Sequence, residues 1–464
     1  MHSIKVIRKK ARVFIIIGGA WGDEGKGKVA AFYAKIADLV IRATGGANAG
    51  HTLYINGHKV ALHLIPGGIG YPGVICLIGQ GVALDLDILF QEMEDLRNLG
   101  VLDAEERLKI SGMATVLMPY HKELDELYER MRENKVGTTK RGIGPAYEDK
   151  VKRDGLLVYH LLDSLENLEA VIKNAVERHN ILFRHYGMKE AVVDPHALAV
   201  KYHEYGERIK KMVVDGHNFV RGYVDDPTKT IVVEGAQAVM LSIETGNRPN
   251  YVTSSDSNIN GTLSGAHLSW KDITEVILIY KAYLSRVGNG PFYTELPAHL
   301  DADGNLIPFA PEEAKIGDKL REAAGEYGAT TGRPRRVGLY DILVGRYAVE
   351  VSGADYACFN HMDTIGKFAL ESNGGSISVV TSYKYRGEEI NYYPFDTIYT
   401  HEVPEPCSVI SIPGWVIEKG THTYEDLPEN AKKFIEVIEE YIGVPVKYIG
   451  IGPKNSDLIV RTDV

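Results

Sequence analysis

Residues 13–36 read VFIIIGGAWGDEGKGKVAAFYAKI: an apolar β-branched run, a glycine-rich loop, then helix formers opening near Gly25. A helix start offers free backbone N–H groups and the positive end of the dipole, and Lys26 and Lys28 add cations. That is chemistry for a phosphate. The loop departs from the pattern G-x-x-x-x-G-K-[ST]. Ala20 stands where the first glycine ahead of Gly25-Lys26 would be, and Val29 has no hydroxyl for magnesium. Inside the loop lies an acid pair, Asp23-Glu24. A carboxylate beside polyphosphate is repelled unless a metal or a proton intervenes, which makes Asp23 a magnesium ligand, a general base, or both. The competing reading is a surface turn whose acids only solubilise it.

Further constellations carry related chemistry. Residues 44–52, TGGANAGHT, place His51 after Gly50 in a stretch without helical period. An imidazole there could protonate a leaving or bridging oxygen, or simply be structural. Residues 136–153, VGTTKRGIGPAYEDKVKR, offer Thr138, Thr139, Lys140 and Arg141 as a second anion site, or an exposed turn with a helix starting at Pro145. Residues 328–336, GATTGRPRR, set three arginines within four positions, a fork suited to carboxylate or phosphate. Residues 359–363, FNHMD, carry Asp363 where an N/T-K-x-D device would read guanine, with His361 in the lysine position.

The elements that must position these groups follow from hydropathy. Residues 13–17, 39–41, 74–77, 230–233, 275–279 and 446–449 are short, rich in Val and Ile and without alternation, so they predict strands buried on both faces of a mainly parallel sheet. Helical spacing marks 166–186 and 198–215, an inserted helical region, and 430–442, entered through Asp426 as cap and Pro428 in the first turn. The 48 glycines exceed the ~7% usual for globular chains and cluster after the predicted strands, where a ligand crevice would lie. The expectation is one α/β domain over 1–464 with a helical insertion at roughly 100–225. The net charge of −10 excludes a chain whose whole surface is built for nucleic acid. Cys76, Cys358 and Cys407 form no CxxC pair, which fits a reducing compartment, and the apolar runs fall short of the ~18 residues a membrane span needs. Residues 1–12 are basic without an apolar core, so no signal peptide is expected and the cytoplasm is the expected location.

In this order, WGDEGKGK (21–28), GGANAGHT (45–52), HLIPGGI (63–69), GTTKRGIGPAYEDKV (137–151), EGAQ (234–237), VTSS (252–255), KAYLSRVGNGPF (281–292), GEYGATTGRPRR (325–336), PGW (413–415), TYEDLPENA (423–431) and GIGP (450–453) resemble the adenylosuccinate synthetase family. The resemblance implies a P-loop-like fold around one large, mainly parallel central sheet, a homodimer, and ligation of L-aspartate to IMP through 6-phosphoryl-IMP with GTP and Mg2+. It implies Asp23, His51 and Gln237 as catalytic groups, with Asp23 and the Gly50 carbonyl on the metal. Gly22, Glu24, Gly25, Lys26, Gly27, Lys28, Thr52, Arg335, His361, Asp363, Gly450 and Gly452 would hold GTP. Asn48, Thr139, Gln237 and Thr253 would hold IMP, Arg153 would reach the IMP phosphate of the other subunit, and Thr331 and Arg333 would clamp aspartate. The chain departs from the family pattern at Ala20, Ala30, Ala238, Ser242, His361 and Gly450. Two other readings remain: a sister ligase with ATP as donor or a guanine nucleotide as acceptor, and a non-catalytic GTP-binding switch. The switch would need neither the second anion site nor the arginine cluster.

Overall fold

A computed structural model describes residues 9–133, 137–189, 192–247, 251–286, 288–297, 315–328, 332, 334–400 and 402–464, with backbone alone for 52–54 and 398. Its frame is an 11-stranded sheet. Across it run Leu458–Val460, Val446–Gly450, Tyr356–Asn360, Glu275–Lys281, Arg12–Gly18, Thr230–Ala238, Leu39–Gly46, Ile75–Leu84, Leu108–Ser111 and Val213–Val214, with Thr115–Val116 also paired to Ile75–Leu84. Every pairing is parallel except that of the edge strand Leu458–Val460. All the strands expected from hydropathy are present, and the central ones are buried nearly end to end. That burial explains their unbroken apolar runs: helices cover both faces, so neither can be polar.

The strand Arg12–Gly18 lies between Thr230–Ala238 and Glu275–Lys281, with a register shift between Ile16 and Gly18. The irregularity falls where the strand hands over to the glycine loop, a usual place for a bulge that re-aims the chain. Helix Lys26–Ala34 follows the loop and buries Val29, Ala30, Ala31, Tyr33 and Ala34 against the sheet.

Residues 100–225 contribute helices Pro119–Met131, Ile143–Lys152, Leu165–His185 and Pro195–Ile209, and also three short strands on one side of the sheet. The helix expected over 198–215 ends at Ile209, because Val213 and Val214 pair instead with Ile110 and Ser111. Helix Ile143–Lys152 starts two residues before Pro145, after Gly142 at φ 75°. It is pinned from both sides by buried Asp149, which accepts from His121 Nε2 (3.1 Å), His179 Nε2 (3.0 Å) and Arg178 (3.2 Å).

The C-terminal helix runs Glu429–Ile442, but Asp426 does not cap it. Pro428 occupies the cap position, and the Asp426 carboxylate accepts instead from the Thr423 hydroxyl (2.8 Å) and N–H (3.2 Å). No described helix is long and apolar enough to cross a membrane.

Candidate active site

The glycine loop, the turns after Gly46 and Ala238, and the segments after Lys281, Asn360 and Gly450 all leave the carboxyl ends of neighbouring parallel strands. In an open α/β sheet that edge is where ligands bind. Here it forms one cavity of about 1030 Å³, lined by Gly22, Asp23, Gly25, Lys26, Gly27, Lys28, Asn48, Gly50, His51, Thr139, Gln237, Thr253, Arg335, His361, Asp363 and Gly452 among others. Most of the residues singled out from sequence therefore meet in one place. Thr331, Arg333 and the side chain of Thr52 lie outside the described residues.

The loop is built around Glu24. Its carboxylate is buried and turns inward, accepting from the N–H groups of Ala20 (3.2 Å) and Gly22 (2.7 Å) and from Lys26 Nζ (2.9 Å). A side chain at Gly18 would place its Cβ 2.4 Å from that carboxylate, so only glycine lets the loop close. Glu24 thus shapes the loop from within, while Asp23, at φ 60° and half-exposed, faces the cavity. Lys26 Nζ also donates to the Gln237 carbonyl (2.6 Å), and Asn360 Nδ2 donates to the Glu24 carbonyl (2.8 Å). The loop is thereby tied to two strand ends.

Asp23 Oδ2 lies 2.8 Å from a guanidinium nitrogen of Arg335. The other arm of Arg335 lies 2.8 Å from Oε2 of Glu326, which is 1% exposed. Oε1 of Glu326 accepts from Lys281 and from the Tyr283 hydroxyl. Burial alone would raise the Glu326 pKa, but Lys281 and Arg335 outweigh it and bring it to about 2. The buried carboxylate is charged because two cations and a hydroxyl converge on it.

His51 begins the hairpin strand His51–Ile55, paired with Leu62. Neither of its buried ring nitrogens has a hydrogen-bond partner at standard geometry among the described residues, the Ile65 backbone offering only a weak contact. Burial, aided by Arg42 and His63, pushes its pKa down to about 3. The ring is therefore neutral and lines the cavity, a group suited to an incoming phosphoryl oxygen. Beside it, Gln237 Nε2 donates to Asn48 Oδ1 (3.2 Å) and Ser255 Oγ donates to Gln237 Oε1 (3.3 Å), a polar wall with Thr253 nearby.

Thr138 and the Gly142 N–H bond to Asp125 on helix Pro119–Met131, folding segment 137–142 down so that Thr139 lines the cavity. Arg153 does not line it. It sits exposed at φ 68° just past helix Ile143–Lys152.

At the other end, His361 (φ 64°) precedes helix Met362–Ser372 and Asp363 lies in that helix's first turn. The His361 ring meets Tyr283 edge-on at 5.5 Å, and burial and Lys281 push its pKa down to about 4. Lys28 donates to the Gly452 carbonyl. Gly450 packs rather than lines: a Cβ there would lie 2.2 Å from Asn360 Oδ1.

Arg42, Glu234, Lys281 and Glu326, all buried, are not among the residues the sequence marks out individually. Arg42, Glu234 and Lys281 each interrupt or end an otherwise apolar strand, which is a readable signal. Among the described residues no group of three or more His, Cys, Asp or Glu could hold a metal alone. A magnesium ion here would need ligand oxygens beside Asp23 and a carbonyl, which is how that ion usually binds with phosphates.

A family model described as adenylosuccinate synthetase matches residues 15–459. The chain is 40% identical over 450 residues to the adenylosuccinate synthetase of Acetivibrio thermocellus, covering 96% of this chain and 99% of that protein. It is 42% identical over 451 residues to that of Caldicellulosiruptor bescii, covering 96% and 98%. The fully ligated adenylosuccinate synthetase from Plasmodium falciparum superposes with a TM-score of 0.83 at 32% identity, covering 97% of this chain and all of that one. A cyanophage S-2L succinoaminodeoxyadenylate synthetase shares the fold, with a TM-score of 0.57 at 19% identity over 97% of this chain and 95% of that one.

Proposed function

The chain belongs to the adenylosuccinate synthetase family, and from that premise we propose that it ligates L-aspartate to IMP with GTP, giving adenylosuccinate, GDP and phosphate. The observation that carries this reading is the convergence of Asp23, His51, Gln237 and Arg335 on one cavity at the carboxyl edge of the sheet. In the first half-reaction the γ-phosphoryl group of GTP passes to O6 of IMP while Asp23 takes the proton from N1. In the second, the aspartate amine attacks C6, phosphate leaves with the C6–O bond electrons and takes up a proton from the amine nitrogen, and the C–N bond is made.

Phosphoryl transfer needs positioning and charge neutralisation above all. His51 donates its N–H to the transferring group. Lys26, Lys28 and the loop N–H groups hold the GTP phosphates, with Arg335 beside them, and Asp363 reads the guanine against His361. Asn48, Gln237, Thr139 and Thr253 hold IMP, and Thr331 and Arg333 hold aspartate. Mg2+, held by Asp23, the Gly50 carbonyl and phosphate oxygens, would neutralise charge on the transferring group. Glu24 and Gly450 serve GTP by shaping its pocket, as their inward contacts support. The same reading makes the protein a cytoplasmic homodimer in which Arg153, exposed and outside its own cavity, enters the neighbour's IMP site.

Incubation with magnesium, aspartate, IMP and GTP, with adenylosuccinate followed by chromatography, tests the reading. Turnover that needs all four supports it. No product overturns it, and product from GMP or ATP in place of IMP or GTP would replace the acceptor or the donor.

A further inference from the structure

Glu326 links the two ends of the proposed donor site from behind its wall. Through Oε2 it holds Arg335, whose other arm meets Asp23 at the phosphate end (2.8 Å for each contact). Through Oε1 it holds the Tyr283 hydroxyl, and the Tyr283 ring meets His361 edge-on, 5.5 Å between centroids, at the base end. Lys281, buried between them, bonds to the same carboxylate and to Ser285 Oγ (2.8 Å). Arg335 is also tied to residue 326 through the backbone, its N–H donating to the Glu326 carbonyl (2.9 Å). Glu326 does not itself line the cavity.

We propose that Glu326 is a positioning residue that sets Arg335 against Asp23 and Tyr283 against His361, so that one buried carboxylate fixes both ends of the donor nucleotide's site. A buried acid shared by two cations is costly unless every partner is in place, so it defines one geometry and resists others. A salt-bridged Arg335 has one guanidinium edge spent on Glu326, which orients the remaining edge toward Asp23. The inference rests on the role proposed for Asp23.

The test is a double-mutant cycle of Glu326→Gln with Arg335→Lys, read on kcat, on KM for GTP and on calorimetric binding of GDP. Glu326→Gln should lower kcat/KM for GTP about tenfold or more in the native background, as loss of groups that orient ligand-contacting residues commonly does. In the Arg335→Lys background it should cost only the severalfold loss carried by the Tyr283 arm, clearly less than in the native background, because a residue acting through another loses that part of its effect with its partner. Tyr283→Phe, which cuts the other arm, should raise KM for GTP severalfold with kcat within about twofold of native. If Glu326→Gln does not fold, Glu326→Asp, which keeps the charge and shortens the reach, runs the same cycle. Equal losses in both backgrounds, or a folded Glu326 variant within twofold of native on all three readouts, overturn the proposal. Such a result beside an inactive Asp23→Asn leaves the ligase reading standing. No turnover by the native protein sinks the ligase reading itself, and the GDP arm of the cycle still decides the role of Glu326.

Discussion

Asp23 and Arg335, far apart in the chain, form an ion pair of 2.8 Å in the wall of the cavity. The carboxylate proposed as the general base is thus held from the side by a guanidinium, which in turn is anchored on buried Glu326. A carboxylate on the open face of a flexible glycine loop would otherwise sample many orientations. The pair confines it.

Replacing Asp23 with asparagine keeps its size and removes its basicity. Turnover should fall by about 10²–10⁴-fold, the range expected for a positioned general base. Circular dichroism and the thermal midpoint should be unchanged, since Asp23 is half-exposed and shares no core. A variant with near-native kcat would remove Asp23 from this role.

His51→Asn retains polarity and loses the imidazole. A drop in kcat larger than the change in either substrate KM is expected, because in the proposed mechanism the ring acts on the transferring phosphoryl group rather than on a ground-state contact. Single-turnover kinetics with GTP and IMP would separate this from slow product release.

Stability should decline in acid. His51 and His361 are held at about 3 and about 4 in the folded chain, below the ~6.5 of a free imidazole. Both are neutral when folded, so the unfolded chain binds more protons between these values. Their contribution is complete above ~6.5 and is lost as pH falls towards the folded values, at up to about 1.4 kcal/mol per pH unit for each. Urea unfolding from pH 7 to pH 5 should show this slope, and His361→Asn should flatten it.

Gly450→Ala introduces a methyl where Asn360 Oδ1 stands 2.2 Å away. Asn360 also holds the Glu24 carbonyl, so displacing it disturbs the glycine loop. A loss of about 1–3 kcal/mol is expected from overpacking, together with a raised KM for GTP. Differential scanning calorimetry and steady-state kinetics measure the two effects.

Asp149→Asn should be the most destabilising of these changes, at about 3 kcal/mol, because it unmakes a buried cluster joining three helices. Denaturant midpoints would show it. Arg153, one helix turn on, should be repositioned as a consequence, with a rise in KM for IMP.

Much of this molecule is readable from local sequence. Short Val- and Ile-rich runs with no alternation specify strands covered on both faces, and a glycine loop between such a run and a helix former specifies an anion site. Both signals depend on backbone chemistry over a few residues, which is why 13–17 and Gly25 needed no tertiary context. Asp23, His51, Asp363 and the arginines of 328–336 were visible for the same reason: reactive types among glycines. What only the tertiary structure decided is which groups meet. Asp426 has the right type to cap a helix but stands two residues early, where Thr423 claims it. Residues 213 and 214 follow a helical pattern, yet an open strand edge pairs with them. Glu24 and Asp23 are adjacent acids, and the fold buries one as the loop's anchor and turns the other to the cavity. By residue type alone Glu326 is one acid ahead of a basic loop, and only the fold brings Lys281, Tyr283 and Arg335 around it. A charge can stay in a protein's interior only where partners from distant parts of the chain surround it, and no local pattern encodes that meeting.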